Sequence, residues 1–173
     1  MPDDQPGIDA WKRETSAFDR VRSVASTVSK PRTASYIADE AHVAENTARE
    51  HLERLVDMNV LLKSERGGAA TYSPDPLHTR LQTLRDLVEE HDHDGLIQLK
   101  AELQERIEAW RDEYAVDSPD ALRERAAETD EAPATREILA TANDWELVRY
   151  RLDVVEDAIE NYATYSRDYR ASA

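Results

Sequence analysis

The sequence predicts a mainly α-helical chain that carries one small β-hairpin, and three observations predict it. Two apolar stripes of helical period, Ala34 to Ala41 and Ala48 to Val56, lie early in the chain on helices joined by three residues. A Gly67-Gly68 pair separates two short runs able to extend. The C-terminal part holds an unbroken three-four apolar repeat from Trp145 to Tyr169. With 4 Gly and 1 Phe in 173 residues, the composition suits a helix-rich fold better than an all-β one.

The elements follow in order. The acidic, Pro-containing start predicts a disordered lead-in over residues 1–8. Asp9 is a plausible N-cap, and Trp11, Phe18, Val21, Ala25 and Val28 recur at helical intervals until Pro31, predicting one long first helix. Thr33 then caps a short helix whose buried stripe is Ala34, Ile37, Ala38 and Ala41. His42-Val43-Ala44 is a tight connection to a second stripe at Ala48, Leu52, Leu55 and Val56, on a helix over about 45–57. Val60 to Ser73, turning at Gly67-Gly68, reads as a hairpin. Three helices followed by a hairpin is the winged-helix order, so a winged helix-turn-helix domain is expected over 9–75, with its wing over 60–73.

Beyond Pro76 the pattern is helical only. Leu77, Leu81, Leu84 and Val88 form one stripe. Leu96, Leu99, Leu103, Ile107, Trp110 and Tyr114 form the next, with Asp94 as its expected N-cap and Ser118-Pro119 opening a short helix. Residues 129–133 read as a loop and Ala134 to Ala142 as a further short helix. Trp145, Val148, Leu152, Val155, Ile159 and Tyr162, continued by Ser166 and Tyr169, form a heptad seam. Its partner is either the helix at Leu96 to Tyr114 or the same seam of a second copy. A helical bundle or coiled-coil region serving dimerisation or regulation is therefore expected over 77–171, with a homodimer as the expected assembly.

Composition excludes several function classes. The chain has no Cys, which rules out disulfides, thiolate metal sites and cysteine nucleophiles. No run approaches the roughly 18 apolar residues of a membrane span, so a cytoplasmic protein without a membrane partner is expected. No nucleophile elbow, phosphate loop, zinc-protease motif or paired catalytic carboxylate stands at a recognisable spacing, and neither an enzyme nor a cofactor is expected. The formal charge is −15, and only Lys12, Lys30, Lys63 and Lys100 are lysines among the 22 basic residues. Carboxylate-rich, lysine-poor surfaces stay hydrated where molar salt screens charge within about 3 Å, which points to a halophile.

Within the first half, the segment from Arg32 to Val56 closely resembles the helix-turn-helix of bacterial and archaeal winged-helix regulators related to the ArsR and MarR families. Its most specific part is Asn46-Thr47-Ala48-Arg49, followed by Leu52 and Leu55 and then by Asn59-Val60-Leu61. The whole chain resembles haloarchaeal winged-helix regulators with a helical C-terminal half. That resemblance implies a sequence-specific DNA-binding transcriptional regulator. One departure is Ala44, which stands where such helices usually place a Ser or Thr N-cap.

Physical reading of the same helix assigns roles. Burying Ala48, Leu52 and Leu55 turns Glu45, Asn46, Thr47, Arg49, Glu50 and Glu53 outward. In a major groove Arg pairs with guanine, Asn with adenine and Glu with the cytosine amine. Asn46 and Arg49 are the expected base readers, with Glu45 and Glu50 secondary. Thr33, Ser35, Thr47 and Arg54 are assigned to phosphates, and Lys63 and Arg66 on the wing to a flanking minor groove or backbone. The expected partner is double-stranded DNA. Residues 12–73 hold 10 basic and 9 acidic side chains, a net of +1, whereas 74–173 hold 12 and 25, a net of −13. The acidity is thus segregated away from the expected DNA face.

Other readings stand beside this one. A winged helix also serves as a protein-docking module, which makes an interaction adaptor the main alternative. A third reading is a ligand or metal sensor in the helical half. It rests on His91-Asp92-His93-Asp94 as a metal run and on Trp110, Tyr114, Trp145, Tyr150, Tyr162, Tyr165 and Tyr169 as the lining of an effector cavity. A capped polar turn and ordinary core packing account for those residues at less cost.

Overall fold

The structure, a computed structural model, describes residues 6–128 and 132–166 and divides into two compact units, residues 1–81 and 82–173. The chain is mainly helical, with one three-stranded antiparallel sheet among the described residues. No helix among those residues is long and apolar enough to cross a membrane.

The first unit contains α1 (Pro6–Glu14), α2 (Ala17–Thr27), β1 (Arg32–Thr33), α3 (Ala34–Ala41), α4 (Glu45–Asp57), β2 (Leu61–Arg66) and β3 (Ala69–Pro74). The expected lead-in over residues 1–8 falls partly on Met1–Gln5, outside the described residues, and partly on Pro6–Ile8, which are helical. The single first helix expected from Asp9 onward is two helices. Ser16 breaks it by capping α2: its hydroxyl accepts from the Asp19 amide and donates to the Asp19 carboxylate. The apolar phase carries across this break, so periodicity alone does not reveal it.

A strand not foreseen, β1, pairs with β3 through Arg32 opposite Tyr72 and Thr33 opposite Thr71, giving the order β1-β3-β2. The β2–β3 turn needs positive φ at both central positions, and Gly67 (φ 58°) and Gly68 (φ 79°) supply it without a Cβ penalty. Val21, Ala25, Ile37, Ala41, Ala48, Leu52, Leu55, Leu61 and Tyr72 form the unit's core. Small residues on α3 and at Ala48 let helix backbones approach closely.

Arg20 is buried in this unit. Its Nε donates to the Ala41 carbonyl at 3.0 Å, and its Nη1 donates to the carbonyls of Thr15 at 2.7 Å and Lys12 at 3.3 Å. One guanidinium thereby ties α1, α2 and the last residue of α3 together.

α5 (Pro76–Glu90) runs across the division, and its second half packs Leu84 and Leu87 into the core of the second unit. That unit continues with α6 (His93–Tyr114), α7 (Pro119–Ala127), α8 (Ala132–Glu160) and α9 (Tyr162–Tyr165). Asp92, rather than Asp94, caps α6 by accepting from the Gly95 amide at 2.8 Å. Ser118 caps α7, and Pro119 occupies its first turn. The short helix and the final helix expected on either side of residue 143 are one 29-residue α8, because nothing from Ala134 to Glu160 is Gly or Pro. Of the expected loop over 129–133, Thr129–Glu131 lie outside the described residues, while Ala132 and Pro133 are helical.

The α8 seam finds its partner inside the unit. Trp145, Val148 and Val155 are buried with Leu96, Leu103, Ile107 and Leu122 of α6 and α7, and Leu152, Ile159 and Tyr162 pack half-buried on the same cluster. The six residues expected to form a dimer face thus pack against their own chain, fully at Trp145, Val148 and Val155 and partly at Leu152, Ile159 and Tyr162. Of the residues that continue the repeat, Ser166 is buried and Tyr169 lies outside the described residues.

α6 ends on Ala115 in the left-handed region (φ 49°). An L side chain there costs about 1 kcal/mol or more, and Gly does not incur it. Ala115→Gly is expected to stabilise the protein by about 0.5–1 kcal/mol, after the added freedom of the unfolded chain is offset. Chemical denaturation checks this, since the midpoint should rise at unchanged m-value.

Candidate nucleic-acid interface

Three local devices aim α4. His42 closes α3 in the left-handed conformation (φ 52°), with its amide donating to Asp39 O and the Val43 amide to Ala38 O at 3.0 Å, a Schellman-type stop. Ala44 precedes α4 without any side-chain cap. Ala48, Leu52 and Leu55 are fully buried and fix the helix's rotation. A turn of 3.6 residues then places Asn46, Glu50, Glu53 and Asp57 along the outward side.

The expected base readers lie on or beside this line. Asn46 is exposed in the first turn, and Arg49 is exposed while paired with Glu45 at 2.6 Å across i,i+4. An exposed i,i+4 pair is worth only about 0.3–0.5 kcal/mol, so Glu45 holds the Arg49 guanidinium weakly. Glu50 is exposed on the same side, and Thr47 is half-buried in the first turn.

The residues assigned to phosphates are dispersed. Thr33 is the N-cap of α3, its hydroxyl accepting from the Tyr36 amide at 3.3 Å, and Ser35 is exposed in the first turn of α3. Arg54 is on the other flank of α4, its guanidinium 5.0 Å from the Phe18 ring centroid, with His51 edge-on to the same ring. The structure thus joins Arg54 to α2 rather than to the Asn46–Arg49 surface. Sequence reading missed Arg32, whose guanidinium stacks 4.3 Å above the Tyr36 ring at the start of α3. A cation three or four residues ahead of an aromatic at a helix start was the available signal.

On the wing, alternation along β2 sends Lys63 and Arg66 to opposite faces. Lys63 faces α4, where its Nζ donates to Glu53 Oε1 at 2.6 Å, and the Tyr72 hydroxyl donates to the same oxygen at 2.7 Å. Lys63 and Tyr72 are direct cross-strand partners. The Lys63 hydrogen bond, then that of Tyr72, holds the Glu53 carboxyl below its usual range. Burial first, and Glu53 second, push the Tyr72 phenol up from 10.0 to about 12. A raised value means that the neutral phenol stabilises the fold fully below pH 10 and that this contribution is lost as pH rises through 12. Wild-type protein is therefore expected to lose melting temperature over that window more steeply than Tyr72→Phe does.

In the second unit, the His91–Asp94 run behaves as a capped turn, with Asp92 on the Gly95 amide and His93 edge-on to Tyr162 at 5.5 Å. Among the described residues no group of three metal-ligating side chains is assembled.

Residues 15–164 match a family of unknown function (DUF7342), and the chain belongs to that family. No curated protein and no solved structure matches it.

Proposed function

We propose that this member of the DUF7342 family is a sequence-specific DNA-binding transcriptional regulator in which α2, α3, α4 and the β2–β3 hairpin act as a winged helix-turn-helix. α4 enters the major groove, and the hairpin lies on flanking DNA. The observation that carries the reading is the outward side of α4. A helix anchored by Ala48, Leu52 and Leu55, entered through a three-residue turn, presents exposed Asn46 and a weakly held Arg49 in its N-terminal half. That half of a recognition helix is the part that meets base edges. The first-turn amides, with no side-chain cap, add a favourable dipole for a phosphate.

Each copy presents one helix and one hairpin, so one copy addresses one half-site. The homodimer expected from the seam is not carried into the proposal, since Trp145, Val148 and Val155 of that seam are buried against the same chain.

Glu45, Glu50 and Glu53 accompany the cations, so counterion release contributes little and base contacts must contribute more. Affinity is expected to fall with salt by a log-log slope shallower than about 2, where six or more phosphate contacts give slopes beyond about 5. The variant Asn46→Ala/Arg49→Ala is expected to weaken binding to the preferred duplex by about 30-fold or more, at about 1–3 kcal/mol for each of two bidentate base contacts. Fluorescence anisotropy in molar KCl checks both, and unchanged affinity in the double variant rejects the reading. The same three carboxylates favour a second reading, an adaptor whose α4 docks on protein. It predicts that the double variant leaves all DNA behaviour unaltered.

A further inference from the structure

The geometry points to Glu53 as a positioning residue that clamps the β2–β3 hairpin to α4 and withholds the Lys63 ammonium from DNA phosphates. The assignment rests on the DNA reading of α4 proposed above and revises it at Lys63.

A single carboxylate oxygen, Glu53 Oε1, accepts from Lys63 on β2 and from Tyr72 on β3. Exposed Lys–Glu pairs are usually too weak to hold a lysine, since entropy and solvent offset their attraction. Here the carboxylate is fixed independently. The Tyr72 ring is 1% exposed and locked in the core, so its hydroxyl presents a stationary donor. Tyr72 and Lys63 face each other across the ladder, so the oxygen that meets one is in reach of the other. Arg49, one turn earlier on α4, adds a second positive charge near the carboxylate. These contacts join residues 10 and 19 positions apart in sequence, and they make helix and hairpin a single reading surface. They also leave Arg66, on the opposite face of β2, as the hairpin's outward cation.

Four proteins test this: wild type, Glu53→Gln, Lys63→Gln and the double variant. Each is titrated with a duplex at several KCl concentrations, after circular dichroism has established that it is folded. A phosphate contact contributes about 0.9 to the log-log salt slope. Lys63→Gln is expected to leave the slope unchanged, because the ammonium is already held. Glu53→Gln is expected to steepen it by about one, and the double variant to return it to the wild-type value. A slope about 0.9 shallower in Lys63→Gln alone overturns the withholding of Lys63. The clamp has its own readout without DNA: phenolate absorbance, with Tyr72→Phe identifying the Tyr72 signal. That titration should move down in Glu53→Gln, and an unmoved titration overturns the clamp. Absence of duplex binding by the wild-type chain overturns the DNA reading and the role of Glu53 in it, while the phenol titration decides the clamp independently.

Discussion

Arg20→Leu is expected to destabilise the N-terminal unit by about 3 kcal/mol, and for a unit of this size that is a fall of roughly 10–20 °C in melting temperature. The guanidinium reaches three carbonyls, of Lys12, Thr15 and Ala41, and only the Ala41 bond is fully buried. Water replaces the two outer bonds readily. The orphaned Ala41 carbonyl therefore dominates the loss, together with the guanidinium's position over the Trp11 ring, 5.9 Å from its centroid. Arg20→Lys keeps the charge but cannot span Ala41 and Thr15 with one ammonium, so an intermediate loss is expected. Ala41 is the last helical residue before the turn that aims α4, so under the proposed DNA reading a loss of duplex affinity accompanies the loss of stability. Thermal unfolding monitored by circular dichroism reads the effect, and a change below about 1 kcal/mol would show that the three hydrogen bonds are incidental.

Trp145→Ala is expected to cost about 4 kcal/mol, the usual range for emptying a buried aromatic site. The ring is 0% exposed and tilts against Trp110 with centroids 5.9 Å apart. Trp145→Phe separates two contributions. The indole Nε1 is buried and has no hydrogen-bond partner among the described residues. A lone buried donor costs about 1–3 kcal/mol, similar to what the smaller ring forfeits in packing. Phe is therefore expected to come within about 1 kcal/mol of wild type. A loss near that of Ala would show that the N–H is bonded in solution.

How far these features are legible in the sequence follows from the range over which their causes act. The stripes of α3, α4 and α6 are readable because burial repeats every turn, and Thr33 and Ser118 are readable because capping is local. The break before α2 is not, since Ser16 interrupts hydrogen bonding without disturbing the apolar phase. β1 is two residues long, and only its pairing with β3 defines it. The seam on α8 is visible as a pattern, but an apolar seam reads the same whether its partner is α6 or a second copy.

The candidate site divides in the same way. Outward placement of Asn46, Arg49 and Glu50 follows from helical geometry once Ala48, Leu52 and Leu55 are assigned to the core. The stacking of Arg54 on Phe18 and the capture of Lys63 by Glu53 depend on which elements pack side by side. No spacing within one element announces such pairs, nor the burial of Arg20.

Base reading in a duplex by the outward side of α4 is the claim on which the rest depends. Selection from a randomised duplex pool in molar KCl, run in parallel with wild type and Asn46→Ala/Arg49→Ala, tests it most directly. The wild-type chain should enrich a short motif containing guanine and adenine contacts, and the double variant should lose that motif while remaining folded. A wild-type pool that stays random, or the same motif from both proteins, would contradict the claim.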